Sequence, residues 1–202
     1  MTHGDIEVRR TLPGERPEAA RVLCEAFSSS PATMEMFGSS IPVPARRMRR
    51  LYEATLSDSG GTTLVAMDRA GQIVGVLHHA DAPKCEPTGL EAVRLAVAAV
   101  RSLGLRFLRA GALFRQTAKR HPQWPHRHLV VLGVPPSHQR QGIGGLMLTR
   151  FVEQADADGV SCYLETDTAG AMDLYERHGF RTVASDDVGS VTFRYMWRYA
   201  GG

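Results

Sequence analysis

The amino-acid sequence predicts an α/β protein in which helices cover both faces of a central mixed sheet. Apolar runs of strand length alternate with segments whose apolar positions recur every three to four residues, the period of a helix. Val191–Tyr199 alternates apolar and polar residues, which predicts a strand with one buried face. A glycine-rich loop at residues 139–145 joins a strand to a helix. The length of 202 residues suits one domain with a sizeable core.

The N-terminal half is predicted to contain a strand, a helix, a loop, a second helix and a β-hairpin: Ile6–Arg10, Pro17–Phe27, Ser28–Pro44, Ala45–Leu56, Thr62–Met67 and Gln72–His79. Proline is favoured in the first turn of a helix, so Pro17 marks the start of the first one. Ser28–Pro44 is assigned as a loop because serine and proline are frequent in it. Asp68–Gly71 has the length and composition of a hairpin turn.

The segment Leu90–Leu113 is apolar enough to be mistaken for a membrane span. It contains Arg94, Arg101, Arg106 and Arg109, and each would be costly at the centre of a bilayer. We therefore predict a basic amphipathic helix and no stable membrane insertion. Three roles are open for this helix: packing across one face of the sheet, covering a binding site as a lid, or lying on an anionic membrane surface.

The segment His128–Gly145 is the most informative part of the sequence. A strand, His128–Val134, ends at two prolines, and a glycine-rich loop then opens into a helix with an apolar face formed by Leu148, Phe151, Val152 and Ala155. Backbone N–H groups at the start of a helix lack intrahelical partners, and the helix dipole adds positive potential there. This arrangement is typical of an anion site that accepts a phosphate.

Two common phosphate-binding loops do not fit this segment. A P-loop requires a lysine after its last glycine, and no lysine follows Gly144 or Gly145. A dinucleotide-binding fingerprint that starts at Gly142 needs a third glycine where Met147 stands. The loop therefore belongs to another class of phosphate site.

Composition limits the class of protein further. With 24 basic and 21 acidic residues and no nucleic-acid-binding motif, we expect no nucleic-acid partner. Cys24, Cys85 and Cys162 are odd in number and too widely spaced for a CxxC pair, so neither a metal site nor a disulfide framework is predicted. Cysteine usage and the charged start at residues 1–10, where a signal peptide would be apolar, favour the cytoplasm.

Motifs in the C-terminal half occur in the order of a known superfamily. Gln-x-x-Gly-x-Gly stands at residues 139–144, the predicted strand Val160–Thr166 follows, and Leu-Tyr-Glu-x-x-Gly-Phe ends at Phe180. This order resembles the acyl-CoA-binding half of the GNAT superfamily of N-acyltransferases. The sequences of these motifs are most similar to those of the branch that includes puromycin N-acetyltransferase.

The resemblance implies a single GNAT-type domain over residues 1–202, with a mostly antiparallel sheet that splays between its fourth and fifth strands. Residues 1–120 would supply the acceptor side, and residues 121–202 would bind acetyl-CoA as the co-substrate. The residues implied for cofactor binding are Leu132, Gly133, Val134, Gln139, Arg140, Gln141, Gly142, Ile143, Gly144, Gly145, Thr168 and Tyr175.

Two of these assignments carry alternatives, and a third point concerns the backbone of the fourth strand. Arg140 and Arg150 are candidates for the outer phosphate, or else they lie on a solvated helix face. Gly133 is expected to mark a β-bulge that helps the strands diverge. Many relatives have an asparagine before the tyrosine-bearing helix, and Thr168 is the candidate to replace one of its hydrogen bonds; otherwise cofactor affinity is reduced.

The resemblance also assigns two catalytic roles. The backbone N–H of Leu132 would stabilise the oxyanion that forms during acyl transfer. Tyr175 would protonate the thiolate leaving group, with a core-packed aromatic residue as the alternative.

The general base stays open among several groups. Strand alternation places His128 on the same face as Leu132, and an ordinary histidine pKa suits a proton relay at neutral pH. Glu165, at the end of the next strand, is the rival base or an acceptor-binding carboxylate. Glu35 is a third candidate, and loss of the proton to water is the fourth.

The implied activity is acetyl-CoA-dependent transfer of an acetyl group to the primary amine of a small molecule, without a metal. A protein or peptide N-acetyltransferase and a degenerate acyl-CoA-binding sensor are the alternatives. A homodimer is compatible with the sequence, which does not specify the acceptor amine.

Overall fold

The structure, a computed structural model, describes residues 6–57, 60–83, 85 and 89–202, apart from the side chains of residues 109, 112 and 113. Part of the predicted charged start, residues 1–5, lies outside these ranges. The strands are β1 (Glu7–Arg10), β2 (Gly61–Met67), β3 (Ile73–Asp81), β4 (Arg127–Gly133), β5 (Cys162–Thr166), β6 (Arg181–Val188) and β7 (Val191–Arg198). The helices are α1 (Arg16–Phe27), α2 (Pro31–Phe37), α3 (Ala45–Thr55), α4 (Gly89–Leu103), α5 (Phe107–Arg120), α6 (Ile143–Ala157) and α7 (Ala169–Arg177).

The seven strands form one mixed sheet in the order β1-β2-β3-β4-β5-β7-β6. Every neighbouring pair is antiparallel except β4 and β5, which are parallel. Their ladder begins at Arg127 and Cys162 and ends at Leu129 and Leu164, so the rest of β4 has no partner in β5. The predicted splaying between the fourth and fifth strands is therefore confirmed.

Apolar side chains cover both faces of the sheet, as predicted. Leu64 and Ala66 of β2 pack with α6 on one face, whereas Val65 between them packs with α1 on the other. This alternation follows from the period of two along a strand. β3 is buried along nearly its whole length because helices cover it on both sides.

Two elements were not predicted from the sequence. The segment predicted as a loop contains α2. The helix begins after Ser30, and the Ser30 hydroxyl accepts a hydrogen bond from the Thr33 N–H at 3.2 Å. It ends before Gly38, which has the left-handed conformation. A serine before a proline is an N-terminal helix signal that the count of serines and prolines obscured. β6 is largely exposed and polar, so it lacks the apolar pattern that identifies a buried strand.

The basic segment forms two helices and not the single predicted one. Gly104, with φ of 59°, separates α4 from α5 through a short 3₁₀ turn. Their buried side chains, Ala99, Leu103 and Ala110, pack with α1 and α3, so the insert lies on helices. Among the described residues, none of the helices combines the length and the apolar character needed to span a bilayer.

A bulge interrupts β4 at Val130 and not at Gly133, where the sequence analysis expects one. His79 pairs with Leu129 and His78 with Val131, which leaves Val130 without a partner in β3. The extra residue reverses the alternation of side chains. Leu132 therefore packs in the α6 cluster, whereas His128 contacts Tyr163 on the opposite face, so the predicted shared face of these two residues is wrong.

Gly133 instead allows α1 to pack closely against β4. A Cβ atom at this position would lie 2.8 Å from Leu23 Cδ2 and 2.9 Å from Phe27 Cε2. We expect Gly133→Ala to lower the free energy of unfolding by about 1–3 kcal/mol, the usual cost of overpacking a core. Urea denaturation measures this loss. Gly111→Ala in α5 is the matched control, because its Cβ would make only an ordinary contact, 3.7 Å from Arg115 Nη1, and alanine favours a helix by about 1 kcal/mol.

Candidate active site

A cavity of about 1600 Å³ lies where β4 and β5 separate. Its walls include the open stretch of β4, the end of β5, the loop before α6, the start of α7, and parts of the helices α1 to α5. Sites for a single small ligand usually measure about 300–1000 Å³. The cavity is therefore large enough for two molecules at once.

The N-terminus of α6 lines this cavity. Gly142 precedes the helix with φ of 83°, and no side chain in the described part of the chain caps it. The first N–H groups of α6 are consequently available to a ligand. Gln139 fixes the loop, since its side-chain amide donates a hydrogen bond to the Val134 carbonyl at 2.9 Å. Arg140 has φ of 60° and lines the cavity.

The predicted loop residues divide into those that line the cavity and those that do not. Val134, Gln139, Arg140, Gly142, Ile143, Gly144 and Gly145 line it, together with Leu132, Gly133 and Thr168. Gln141 turns back instead and donates a hydrogen bond to the Ser137 carbonyl at 3.2 Å. Arg150 is exposed on α6 and is not among the lining residues, which supports the solvated alternative for this arginine.

Tyr175 lies on α7 and belongs both to the core and to the cavity wall. Its ring meets Phe180 edge-on at 6.0 Å, and the residue is 8% exposed. Burial, with a contribution from Asp167, raises the pKa of Tyr175 to about 12. The phenol therefore keeps its proton at neutral pH, as a proton donor must.

His128 and Glu165 form a pair at the point where the strands begin to separate. Both lie on one face because His128 is opposite Tyr163, and Glu165 follows two residues later on β5. His128 Nε2 is 2.7 Å from Glu165 Oε2, and both residues line the cavity.

The protonation of this pair differs from that of an ordinary histidine. Burial opposes the charged form of His128, but Glu165 and Cys85 outweigh it and raise the pKa of His128 to about 9. Burial likewise opposes ionisation of Glu165, yet His128 holds the pKa of Glu165 below its usual range. The pair is an imidazolium and a carboxylate at neutral pH, so His128 is not the neutral imidazole that a simple base requires.

Glu35, the third candidate base, lies elsewhere. It accepts a hydrogen bond from the Ser190 hydroxyl at 2.7 Å, beside the turn between β6 and β7. Glu35 is not among the residues that line the large cavity. The structure thus brings together His128, Glu165 and Tyr175 around one cavity and leaves Glu35 outside it.

Comparison with known proteins decides the family. Residues 31–180 match the acetyltransferase (GNAT) family, which is most of the chain. The chain belongs to the GNAT family of acetyltransferases. Membership of this family supports an acetyl-CoA-dependent N-acetyltransferase activity. The parallel strands β4 and β5 of this chain separate beyond Leu129 and Leu164, as the resemblance to the family implies.

Solved structures similar to this acetyltransferase include enzymes with different acceptors. One structure, from Corynebacterium glutamicum, is described as "histone acetyltransferase HPA2 and related acetyltransferase"; it has a TM-score of 0.71 at 23% identity, with 98% of each chain covered. Arylalkylamine N-acetyltransferase 2 from Aedes aegypti has a TM-score of 0.70 at 14% identity, with 97% of this chain and 99% of that one covered. Ribosomal-protein-S18-alanine N-acetyltransferase from Escherichia coli has a TM-score of 0.58 at 14% identity, with 98% of this chain and 95% of that one covered. At these identities the likeness concerns the fold.

Several residues at the cavity of this acetyltransferase were missed in the sequence. Asp167 accepts a hydrogen bond from the Ala32 N–H at 2.7 Å and so fastens α2 beside the cavity. Cys85 and His121 line the cavity near His128, with Cys85 Sγ 3.6 Å from His121 Nε2. Burial opposes ionisation of Cys85, but the surrounding histidines outweigh it and lower the pKa of Cys85 to about 5. The only available signal was the dense group of histidines in residues 121–128.

Proposed function

We propose that this acetyltransferase transfers an acetyl group to the primary amine of a small molecule by direct attack in a ternary complex. The observation that carries the proposal is the shared cavity: its lining includes the uncapped N-terminus of α6, the groups His128, Glu165 and Tyr175, and apolar side chains of the helices α1 to α5. Acetyl-CoA supplies the acetyl group as a thioester, and the products are an amide and the free thiol of CoA.

The residues present fit an acyl-CoA molecule. The uncapped N–H groups after Gly142 and the guanidinium of Arg140 are suited to its phosphates. The open edge of β4, from Val130 to Gly133, offers backbone groups to the amides of an extended arm, as an added strand would use them. Thr168, before α7, lines the cavity; its hydroxyl donates a hydrogen bond to Asp167 Oδ1 at 3.0 Å, and its oxygen can accept one from the arm.

Three groups of this chain carry the proposed chemistry. Tyr175 holds a proton that it donates to the departing thiolate. The backbone N–H of Leu132, on the open stretch of β4, stabilises the oxyanion. Glu165 and His128 act as one unit: the His128 imidazolium donates a hydrogen bond to Glu165 Oε2, and the other carboxylate oxygen binds the amine of the acceptor and accepts the proton that the amine releases on attack.

The acceptor side of the cavity favours an amine with an apolar body. Its walls include the aromatic and aliphatic side chains Phe27, Met36, Tyr52, Phe107, Phe114 and Phe193. Burial of an aryl or alkyl surface against these groups is favourable, and Glu165 supplies a carboxylate for an ammonium group. The helices α4 and α5 contribute to this wall, which supports their role as a lid.

The proposal extends to the branch of the superfamily and to the roles of the two halves of the chain. The puromycin N-acetyltransferase branch is supported by the Leu-Glu-Thr and Leu-Tyr-Glu-Arg motifs around residues 164–177. The division into an acceptor half, residues 1–120, and an acyl-CoA half, residues 121–202, is consistent with the cavity walls. The cytoplasmic location and the homodimer stay predictions from the sequence.

The acceptor class is tested by incubating the protein with acetyl-CoA and a panel of amines, with products identified by mass spectrometry. We expect arylalkylamines and alkylamines to be acetylated faster than a peptide with a free N-terminus. Acetylation of the peptide alone would favour the protein N-acetyltransferase. Binding of acetyl-CoA with no acetylation of any amine would favour the sensor.

The pairing of His128 with Glu165 predicts a specific pattern of variants. His128→Ala and Glu165→Gln are each expected to lower turnover by about tenfold to a hundredfold, at or below the usual range of general acid–base groups. The double variant should be little worse than either single one, because each change already disables the shared unit. Steady-state kinetics at saturating amine measures this.

Glu153→Gln, an exposed change on α6, is the matched control and should retain wild-type turnover. Losses that multiply in the double variant would show that the two residues act independently. Thermal unfolding of each variant separates lost chemistry from lost folding.

A further inference from the structure

Three side chains that can bind a metal meet at the two ends of the helical insert α4–α5. Cys85 precedes the insert, and His121 and His126 follow it. Their donor atoms all lie within 4.8 Å of one another. No metal site is predicted from the sequence, because these residues form no short motif: Cys85 and His121 are 36 positions apart.

The distance between the donors fits a small tetrahedral ion. A zinc ion binds a thiolate at about 2.3 Å and an imidazole nitrogen at about 2.0–2.1 Å, which at a tetrahedral angle separates sulfur and nitrogen by about 3.6 Å. Cys85 Sγ and His121 Nε2 are 3.6 Å apart. Small shifts of the side chains would therefore be enough to admit an ion.

His126 supplies an independent indication. The residue is 1% exposed, and its Nδ1 is 2.7 Å from the Trp124 carbonyl oxygen. Because a carbonyl only accepts, Nδ1 carries the proton, and Nε2 presents a lone pair. His126 Nε2 is buried without a hydrogen-bond partner among the described residues. A nitrogen oriented by a backbone carbonyl through its other ring atom is typical of metal-bound histidines.

The chemistry of the three donors selects the class of ion. One cysteine sulfur and two imidazole nitrogens are a poor match for magnesium or calcium, which prefer oxygen ligands. Zinc accepts both donor types, and three protein ligands leave its fourth position for water.

We propose that Cys85, His121 and His126 bind one zinc ion. The ion would join the chain before α4 to the chain after α5 and so hold both ends of the insert beside the cavity. It would lie next to the pair of His128 and Glu165, since the rings of His121 and His128 are 5.1 Å apart. The site does not depend on which amine the protein acetylates.

Zinc binding is measured by titrating the purified, metal-free protein with zinc. In a second titration cobalt(II) takes the place of zinc, because a cobalt–thiolate bond gives a charge-transfer absorption. We expect one ion per chain in the wild type. Cys85→Ser and His126→Ala should weaken binding by at least about 100-fold, because loss of outer partners of a ligand alone costs about 10–100-fold. Cys24→Ala is the matched control: it removes a buried thiol in the core and should retain the site.

Alkylation of the wild-type protein tests the site without any substitution. Zinc should protect Cys85 from iodoacetamide, as detected by peptide mass spectrometry, while the buried Cys24 and Cys162 stay unmodified with or without zinc. Hydrogen exchange in α4 and α5 should slow on addition of zinc. Equal binding by wild type and Cys85→Ser, or alkylation of Cys85 unaffected by zinc, would overturn the proposal.

Discussion

Replacing Tyr175 with phenylalanine is expected to lower turnover by about tenfold to a thousandfold, within or somewhat below the range of general acid–base groups. The substitution keeps the ring that packs against Phe180 and removes only the hydroxyl. Affinity for acetyl-CoA and the melting temperature should change little, since burial of the ring is unchanged. Steady-state kinetics and calorimetric titration with CoA measure the two quantities separately.

Tyr199→Phe is the matched control for this experiment. Tyr199 is 74% exposed beyond the end of β7, so loss of its hydroxyl should leave turnover at the wild-type value. Wild-type turnover in Tyr175→Phe as well would mean that Tyr175 is a structural residue that happens to line the cavity.

Gly142→Val is expected to weaken CoA binding by about 100-fold while the protein stays folded. Gly142 has φ of 83°, a conformation that costs a residue with a side chain about 1–3 kcal/mol. Valine would relieve this strain by shifting the loop, which misaligns the N–H groups of α6. A loss of about 3 kcal/mol in binding corresponds to about 100-fold in the dissociation constant. Calorimetric titration with CoA measures it.

Gly71→Val is the control with the same backbone requirement. Gly71 has φ of 73° in the turn between β2 and β3, where a side chain has open space, so it carries similar strain away from the cavity. CoA binding to this variant should equal that of the wild type. Gly144→Val adds bulk at the helix start, where its Cβ would make only ordinary contacts, the nearest at 3.6 Å from Leu174. Unchanged CoA affinity in both Gly142→Val and Gly144→Val would contradict the loop assignment.

The predicted residues that the structure brings to the cavity were identified from short stretches of sequence. Gly142 precedes a helix with an apolar periodicity, so the loop and the exposed N–H groups follow from local rules. Tyr175 was placed by a motif within a single helix, and the structure puts it at the cavity. The resemblance to a known superfamily was carried by the same local motifs, and the family match confirms it.

The errors arose where one inserted residue or a distant segment decides the geometry. Strand alternation placed His128 and Leu132 on one face, but the bulge at Val130 reverses the pattern between them. A bulge is stabilised by the neighbouring strand, so β4 alone gives little sign of it. Glu35 was a candidate base by residue type alone, and the fold places it against Ser190.

The sequence by itself determined the fold class, the glycine-rich loop before α6 and the family, because periodicity, capping and turn preferences act within about ten residues along the chain. Only the tertiary structure decided which titratable groups meet: Glu165 beside His128, and Cys85 beside His121 and His126. These contacts join segments that lie more than 30 positions apart. Their pKa values follow from the same encounter, since a charge affects a neighbour according to distance and burial, neither of which the order of residues specifies.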